Sequence, residues 1–270
     1  MTTLPTRDSP SAHPLRLALV GLLGGLLSGL LGVGGGSVMV PLLVLLVGLD
    51  QRRASATSLA AIVPAAIAGA IGYASNGQID VLVALLVAAG GIVGGWLGSH
   101  LLRRLPLGWL RWLFIALLLL VAARMLLAVP ERVAGGFVLT AGAIPGLVVL
   151  GLVVGIAAGI FGIGGGLIMV PVFIALFGMS DLIAKGTSLA AMIPTAISGT
   201  WANARASLVD VRSALTMGLV ATVASLGGVA VAHLLSPQVA AWLFIALLVF
   251  MVVQLARRAI REHRNPARGD

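Results

Sequence analysis

The chain has 270 residues, of which 60% are apolar and 9% charged, with a mean hydropathy of +1.14. Soluble domains carry about a quarter charged residues, so this composition excludes one and defines an integral membrane protein. The net charge of +9 sits at segment ends and in a run of Arg257, Arg258, Arg261, Arg264 and Arg268, which reads as anchoring beside anionic lipid and not as a nucleic-acid surface. With no cysteine, disulfides, thiol catalysis and thiolate metal sites are excluded.

In chain order, residues 1–14 are polar and Pro-rich and are expected to form a disordered cytoplasmic tail, with no removed signal peptide. A first membrane repeat is expected over 15–130, with apolar segments Leu15–Gly48, Ala54–Ala74, Ile79–Leu102 and Leu107–Val129. A second is expected over 144–258, with segments Ile144–Gly178, Ala184–Ala204, Val211–Leu235 and Val239–Ala256, followed by a basic cytoplasmic tail over 259–270. Most segments are near the roughly 20 residues that cross a bilayer.

The division into repeats rests on an ungapped duplication. The stretch from Gly29 to Pro41 returns from Gly159 to Pro171, an offset of 130 residues, with 8 of 13 positions identical. The same offset aligns Thr57-Ser58 and Pro64 with Thr187-Ser188 and Pro194, and Trp112 to Leu118 with Trp242 to Leu248 at all seven positions. A fixed period of this kind marks a duplicated fold unit.

The first segment of each repeat exceeds thirty apolar residues, which as one helix would be about 45–50 Å long against roughly 30 Å of hydrocarbon. Gly32, Gly34, Gly35 and Gly36 interrupt it near its centre, as Gly162, Gly164, Gly165 and Gly166 interrupt the second copy. Each glycine weakens a helix by about 1 kcal/mol, so two half-helices joined by a glycine turn are expected.

If all eight segments cross, the basic residues divide 11 to 6 between the two sides; if each first segment dips in and returns, they divide 14 to 3. The positive-inside rule favours the second arrangement, although eight simple crossings stay open. The expected fold is therefore an all-α integral membrane protein of two homologous four-segment repeats, inverted, each with a glycine-broken, re-entrant first helix. Both termini are expected in the cytoplasm. In secondary transporters of this construction the substrate sits at the midplane between the halves.

Candidate site residues follow from that geometry. Gly34, Gly35, Gly36 and Ser37, with Gly164, Gly165 and Gly166, would present bare backbone amides and the positive ends of two half-helices, which attract anions. The plainer alternative is that these glycines only permit close helix packing. Thr57, Ser58, Thr187 and Ser188 offer hydroxyls to a ligand's oxygens, or else cap their own helices. Asn203, opposite Tyr73 in the other copy, is costly to bury without a partner. Lys185 could supply an entry charge, or else be a solvated loop residue.

Asp50, Asp80, Glu131, Asp181 and Asp210 all fall at predicted segment ends, which argues against an intramembrane carboxylate relay. His100 and His233 also lie near segment ends and read as interfacial. No GxxxxGK[ST], HExxH or GxSxG motif is present, so neither an ATPase nor another enzyme is expected, and no metal or cofactor is called for.

The duplicated G-x-G-G-G-x-x-x-V-P signature, Gly32 to Pro41 and Gly162 to Pro171, with Thr-Ser about sixteen residues further on, resembles the sulfite exporter TauE/SafE family of bacterial membrane permeases. The resemblance covers roughly residues 15–260. It implies a transporter of sulfur-containing anions such as sulfite or organosulfonates in the bacterial cytoplasmic membrane. The expected partners are a small anionic substrate and the lipid bilayer, with no nucleic acid; a homodimer is one oligomeric state open to it. Export fits an inside-negative membrane potential. The alternative is a non-transporting membrane scaffold on the same repeats, and Gly35→Ala with Gly165→Ala is expected to separate the two.

Overall fold

The computed structural model describes residues 14–104 and 142–264, with scattered positions from 112 to 123. Residues 1–13 of the tail expected over 1–14, most of the segment Leu107–Val129, and Glu131 lie outside the described residues. Among the described residues every regular element is a helix. In chain order these are α1 (Pro14–Leu31), α2 (Gly36–Leu42, continued by a π turn over Leu43–Val47), α3 (Gln51–Ala74), α4 (Val81–Arg104), α5 (Ala143–Phe161), α6 (Gly166–Phe177), α7 (Asp181–Arg205), α8 (Val211–Leu234) and α9 (Pro237–Arg264).

The breaks fall at the glycine clusters. Gly32, Gly34 and Gly35 have φ of +71°, +81° and +71°, and Gly162, Gly164 and Gly165 have +68°, +79° and +90°. Side chains are strained in that left-handed region, so the over-long segment splits there into α1 and α2, and again into α5 and α6. Past the turn, α2 folds back along α1. Met39 packs on Gly24, and the Arg16 guanidinium donates to Leu46 O at 3.1 Å. The start of α1 and the end of α2 therefore lie together. In the second copy Val154 stands where Gly24 does and packs on Gly165. Pro41 and Pro171 occupy matching places in α2 and α6, yet only α2 widens into a π turn, so proline alone does not account for it.

Short side chains set the remaining boundaries. Asp50 accepts from Arg52 N and Arg53 N at 3.0 Å, Asp80 from Val83 N at 3.0 Å and Asp210 from Ser213 N at 3.2 Å. Each carboxylate satisfies amides that a helix start leaves without a partner. Because Asp50 and Ser180 act as caps, α3 and α7 begin three residues before the apolar segments that predict them. That shift carries Asp181 into the first turn of α7 and places Lys185 in its second turn, as a helix residue and not a loop one. At the other end of the chain α9 runs on past Ala256 into the basic residues, as far as Arg264.

The halves are interleaved. Along α1, Gly21, Gly25 and Gly29 let its backbone close on Met217, Ala221 and Ser225 of α8. The counterpart seam brings Gly151, Gly155 and Gly159 of α5 against Val87, Gly91 and Gly95 of α4. A Cβ at any of these six glycines would collide with backbone, so the small residues are what allow the approach. Each hairpin is thus held by the fourth helix of the other half. Between the seams α3 and α7 run antiparallel: Asp210, beyond the end of α7, donates its N–H to Thr57 Oγ1 at 3.0 Å, and Asp80, beyond the end of α3, donates to Thr187 Oγ1 at 2.9 Å.

Among the described residues, six helices are long and apolar enough to cross a membrane: α1, α3, α4, α5, α8 and α9. Large apolar side chains such as Leu85, Val149, Leu219, Val223 and Trp242 face outward, as a lipid-facing surface requires. The protein is a multi-pass helical membrane protein built on a duplicated unit.

Candidate functional site

The two glycine turns meet. A Cβ on Gly36 would strike Gly162 O, and one on Gly166 would strike Gly32 O, so the turns pack backbone to backbone. Ile62 of α3 and Met192 of α7, which are offset partners, close over them. Each touches both Gly34 and Gly164. Bulky apolar side chains therefore plug the centre, and the polar candidates divide between the two ends of the α3–α7 pair.

At one end lies the Gly162 turn. Ser58 Oγ donates to Gly162 O at 3.0 Å and Ser55 Oγ to Phe161 O at 3.2 Å. Asn203 reaches this end through the short connection to Asp210, its backbone oxygen accepting from Leu208 N at 3.1 Å. At the other end lies the Gly32 turn, where Ser188 Oγ donates to Gly32 O at 3.0 Å. The four hydroxyl candidates therefore neither cap their own helices nor bond the preceding turn. Each crosses to the other half: the serines orient the facing glycine turn, and the threonines seat the start of α4 or α8. Ser58 and Ser188 have their single hydroxyl proton engaged, whereas Thr57 and Thr187 act here as acceptors.

Of the candidates named from sequence, those left without a partner are backbone groups and two side chains. The first intrahelical bonds of α2 and α6 run from Val38 N to Gly35 O and from Ile168 N to Gly165 O, both 3.1 Å. Among the described residues no backbone acceptor meets the amides of Gly34, Gly35, Gly36 and Ser37, or of Gly164, Gly165, Gly166 and Leu167. Ser37 Oγ and both amide atoms of Asn203 are fully buried with no partner among the described residues. Such groups cost roughly 1–3 kcal/mol each when left unmade, so each of them calls for a partner. Tyr73, the counterpart of Asn203, shows the filled version: its hydroxyl donates to Gly29 O at 2.8 Å.

Several contributors escape the sequence reading. Asp181 and Lys185 are 3% and 2% exposed and paired at 3.3 Å, so Lys185 is a buried helix residue and not a solvated one. Its stem lies along Gly32 as Ser55 lies along Gly162. The 130-residue offset was the available signal, since it sets Lys185 opposite Ser55 in a frame already assigned to the centre. His233 lies in the last turn of α8 with its ring 5.8 Å from that of Tyr73, and His100 is half-buried and bonded to Trp96 O at 2.9 Å. Gly35→Ala loses its diagnostic value, because a Cβ there strikes the Gly24 backbone whether or not Gly35 meets a ligand.

Fold and site together define a class: a duplicated membrane protein in which two broken-helix hairpins share one polar-backbone centre. The chain belongs to the sulfite exporter TauE/SafE family, whose model matches residues 2–125 and again 147–269. Relatives include a probable membrane transporter, YdhB, of Bacillus subtilis, 29% identical over 68% of this chain and 76% of that protein. A probable membrane transporter protein of Xylella fastidiosa is 33% identical over 67% of this chain and 70% of its own length. MamO of Magnetospirillum gryphiswaldense, also a probable membrane transporter, is 34% identical over 43% of this chain but only 20% of its own. No solved structure matches the chain. Membership makes the protein a membrane transporter and not an enzyme.

Proposed function

We propose that the protein is a secondary transporter that carries small sulfur-containing oxyanions, sulfite or organosulfonates, outward across the bacterial cytoplasmic membrane. The observation that carries this reading is the pair of facing glycine turns with amides and a buried Ser37 hydroxyl left without partners. Uncharged donors at helix starts bind an oxyanion moderately, which suits a carrier that must release it. The family's description as sulfite exporter supports the substrate class and the direction in this reading. In the bilayer the two hairpins are re-entrant and enter from opposite faces, with both termini cytoplasmic; the antiparallel α3–α7 pair and the basic-residue asymmetry support that arrangement. The substrate-contacting groups are the amides of Gly34, Gly35, Gly36, Gly164, Gly165 and Gly166, with Ser37 and Asn203, while Thr57, Ser58, Thr187 and Ser188 hold the turns in place.

The test is flux of labelled sulfite, sulfoacetate and taurine in proteoliposomes under an imposed potential of either sign. One of them is expected to move electrogenically, and Ser37→Ala and Asn203→Leu are expected to lower its flux at least tenfold without loss of thermal stability. Both substitutions remove an unengaged polar group, so a fall in flux with intact folding separates a binding role from a scaffold role. No flux of any of the three under either potential would overturn the substrate class; unchanged flux in both variants would overturn the site.

A further inference from the structure

The two halves match in the hydroxyls that hold the glycine turns and differ in the charge beside them. Ser58 on Gly162 O is mirrored by Ser188 on Gly32 O, and Thr57 on Asp210 N by Thr187 on Asp80 N. In the first turns of α3 the same frame sets Gln51 Nε2 3.4 Å from Ser55 Oγ; in α7 it sets Lys185 Nζ 3.3 Å from Asp181 Oδ2. In α3 these two places are neutral, and the charges nearby, Asp50, Arg52 and Arg53, are exposed or half-buried; in α7 the two places carry an ion pair that is almost fully buried.

The fold does not require those charges, since Gln51 and Ser55 do the same packing without them. Burying two ions costs several kcal/mol each, a cost the pair's attraction offsets only in part, and a neutral replacement of similar volume is often as stable or more so. Ionisable groups kept at membrane depth face the protein interior and mark a transport pathway. Lys185 is placed for that role. Its stem runs along the Gly32 turn, and it lies within one helical turn of Thr187 and Ser188.

Resting on the anion reading above, we propose that Lys185 is the cationic contact of the transported anion and that Asp181 is the counter-ion it holds until the anion arrives. The oxyanion leaves the amides of the glycine turns and replaces the Asp181 carboxylate at the Lys185 ammonium. Asp181 takes the ammonium back when the anion departs, so the charge of the site is never left bare. Because only the Gly32 end bears the pair, the two ends differ in affinity, and the carrier has a built-in polarity.

The experiment is half-saturation and maximal rate in proteoliposomes for whichever of sulfite, sulfoacetate and taurine the wild type carries, beside its thermal midpoint in detergent. The Asp181→Gln/Lys185→Ser double variant installs the pair that the first half already packs, so its midpoint is expected at or above wild type. Its half-saturating concentration is expected to rise at least tenfold. Asp181→Gln alone removes the competing carboxylate and is expected to lower half-saturation at least threefold, and Lys185→Arg to keep it within threefold. Wild-type flux with unchanged half-saturation in the double variant overturns the role of Lys185 and leaves the anion reading standing. A wild type that moves none of the three anions overturns both. Should the double variant fail to fold, Asp181→Gln still decides: an unchanged or raised half-saturation overturns the exchange.

Discussion

Around the Gly162 turn, Gln51 and Ser55 of α3 stand one helical turn apart with Asn203 nearby; around the Gly32 turn, Asp181 and Lys185 of α7 stand in the same places with Tyr73 nearby. Both ends use a serine to fix the facing turn and a threonine to seat the fourth helix. The shared groups are the ones that hold the backbone; the groups that differ are those a ligand would distinguish. Duplication has preserved the frame and left the two ends free to diverge in charge and size.

The comparison can be broken most severely at the seams. Gly29→Val and Gly159→Val put branched side chains where a single Cβ already meets the backbone of Ser225 or of Gly95 and Ser99. Each is expected to cost about 3 kcal/mol or more, read as loss of the monodisperse species on size exclusion in detergent. Gly48→Ala is the control at a glycine with open space around it, although its φ of +77° adds a strain of about 1 kcal/mol.

Next in size are the reciprocal serines. Ser58→Ala and Ser188→Ala each leave a buried carbonyl without its donor and are expected to lower stability by about 1–3 kcal/mol in thermal denaturation. Near-equal losses would sharpen the equivalence of the ends, and a gap above about 1 kcal/mol would break it. Tyr73→Phe removes one hydrogen bond from a filled site and should cost about 1 kcal/mol, whereas Asn203→Leu should cost nothing because the Asn203 side chain has no bond to lose. Smallest is Arg16→Gln, on an exposed bond to Leu46 O, expected within about 0.5 kcal/mol.

These expectations follow the line between what local sequence carries and what it does not. The glycine breaks, the place of Asp50, Asp80 and Asp210 at segment ends and the boundaries of α3, α4, α7 and α8 were legible to within a few residues, because helix ends are decided by the residues beside them. The partners of Ser58 and Ser188 were not, since each bonds a carbonyl more than a hundred residues away. Lys185 stayed open between an entry charge and a loop residue for a related reason. Standing second in its apolar window, it reads equally as the end of a loop or the start of a helix until the cap at Ser180 is known. The seams were hidden too: Gly21, Gly25 and Gly29 announce a close neighbour but not that it comes from the other half.

That last feature bears on how the protein is made. Gly29 and its seam partner Ser225 are separated by most of the chain, and at roughly 5–20 residues per second the second is synthesised about 10–40 s after the first. Throughout that interval the α1–α2 hairpin is in the membrane without the helix that covers its glycine face. Only when α8 enters can the N-terminal hairpin lock, so a late step of assembly closes the first element made. Nascent chains stalled before Val211 would then present an uncovered glycine stripe, a natural handle for membrane quality control.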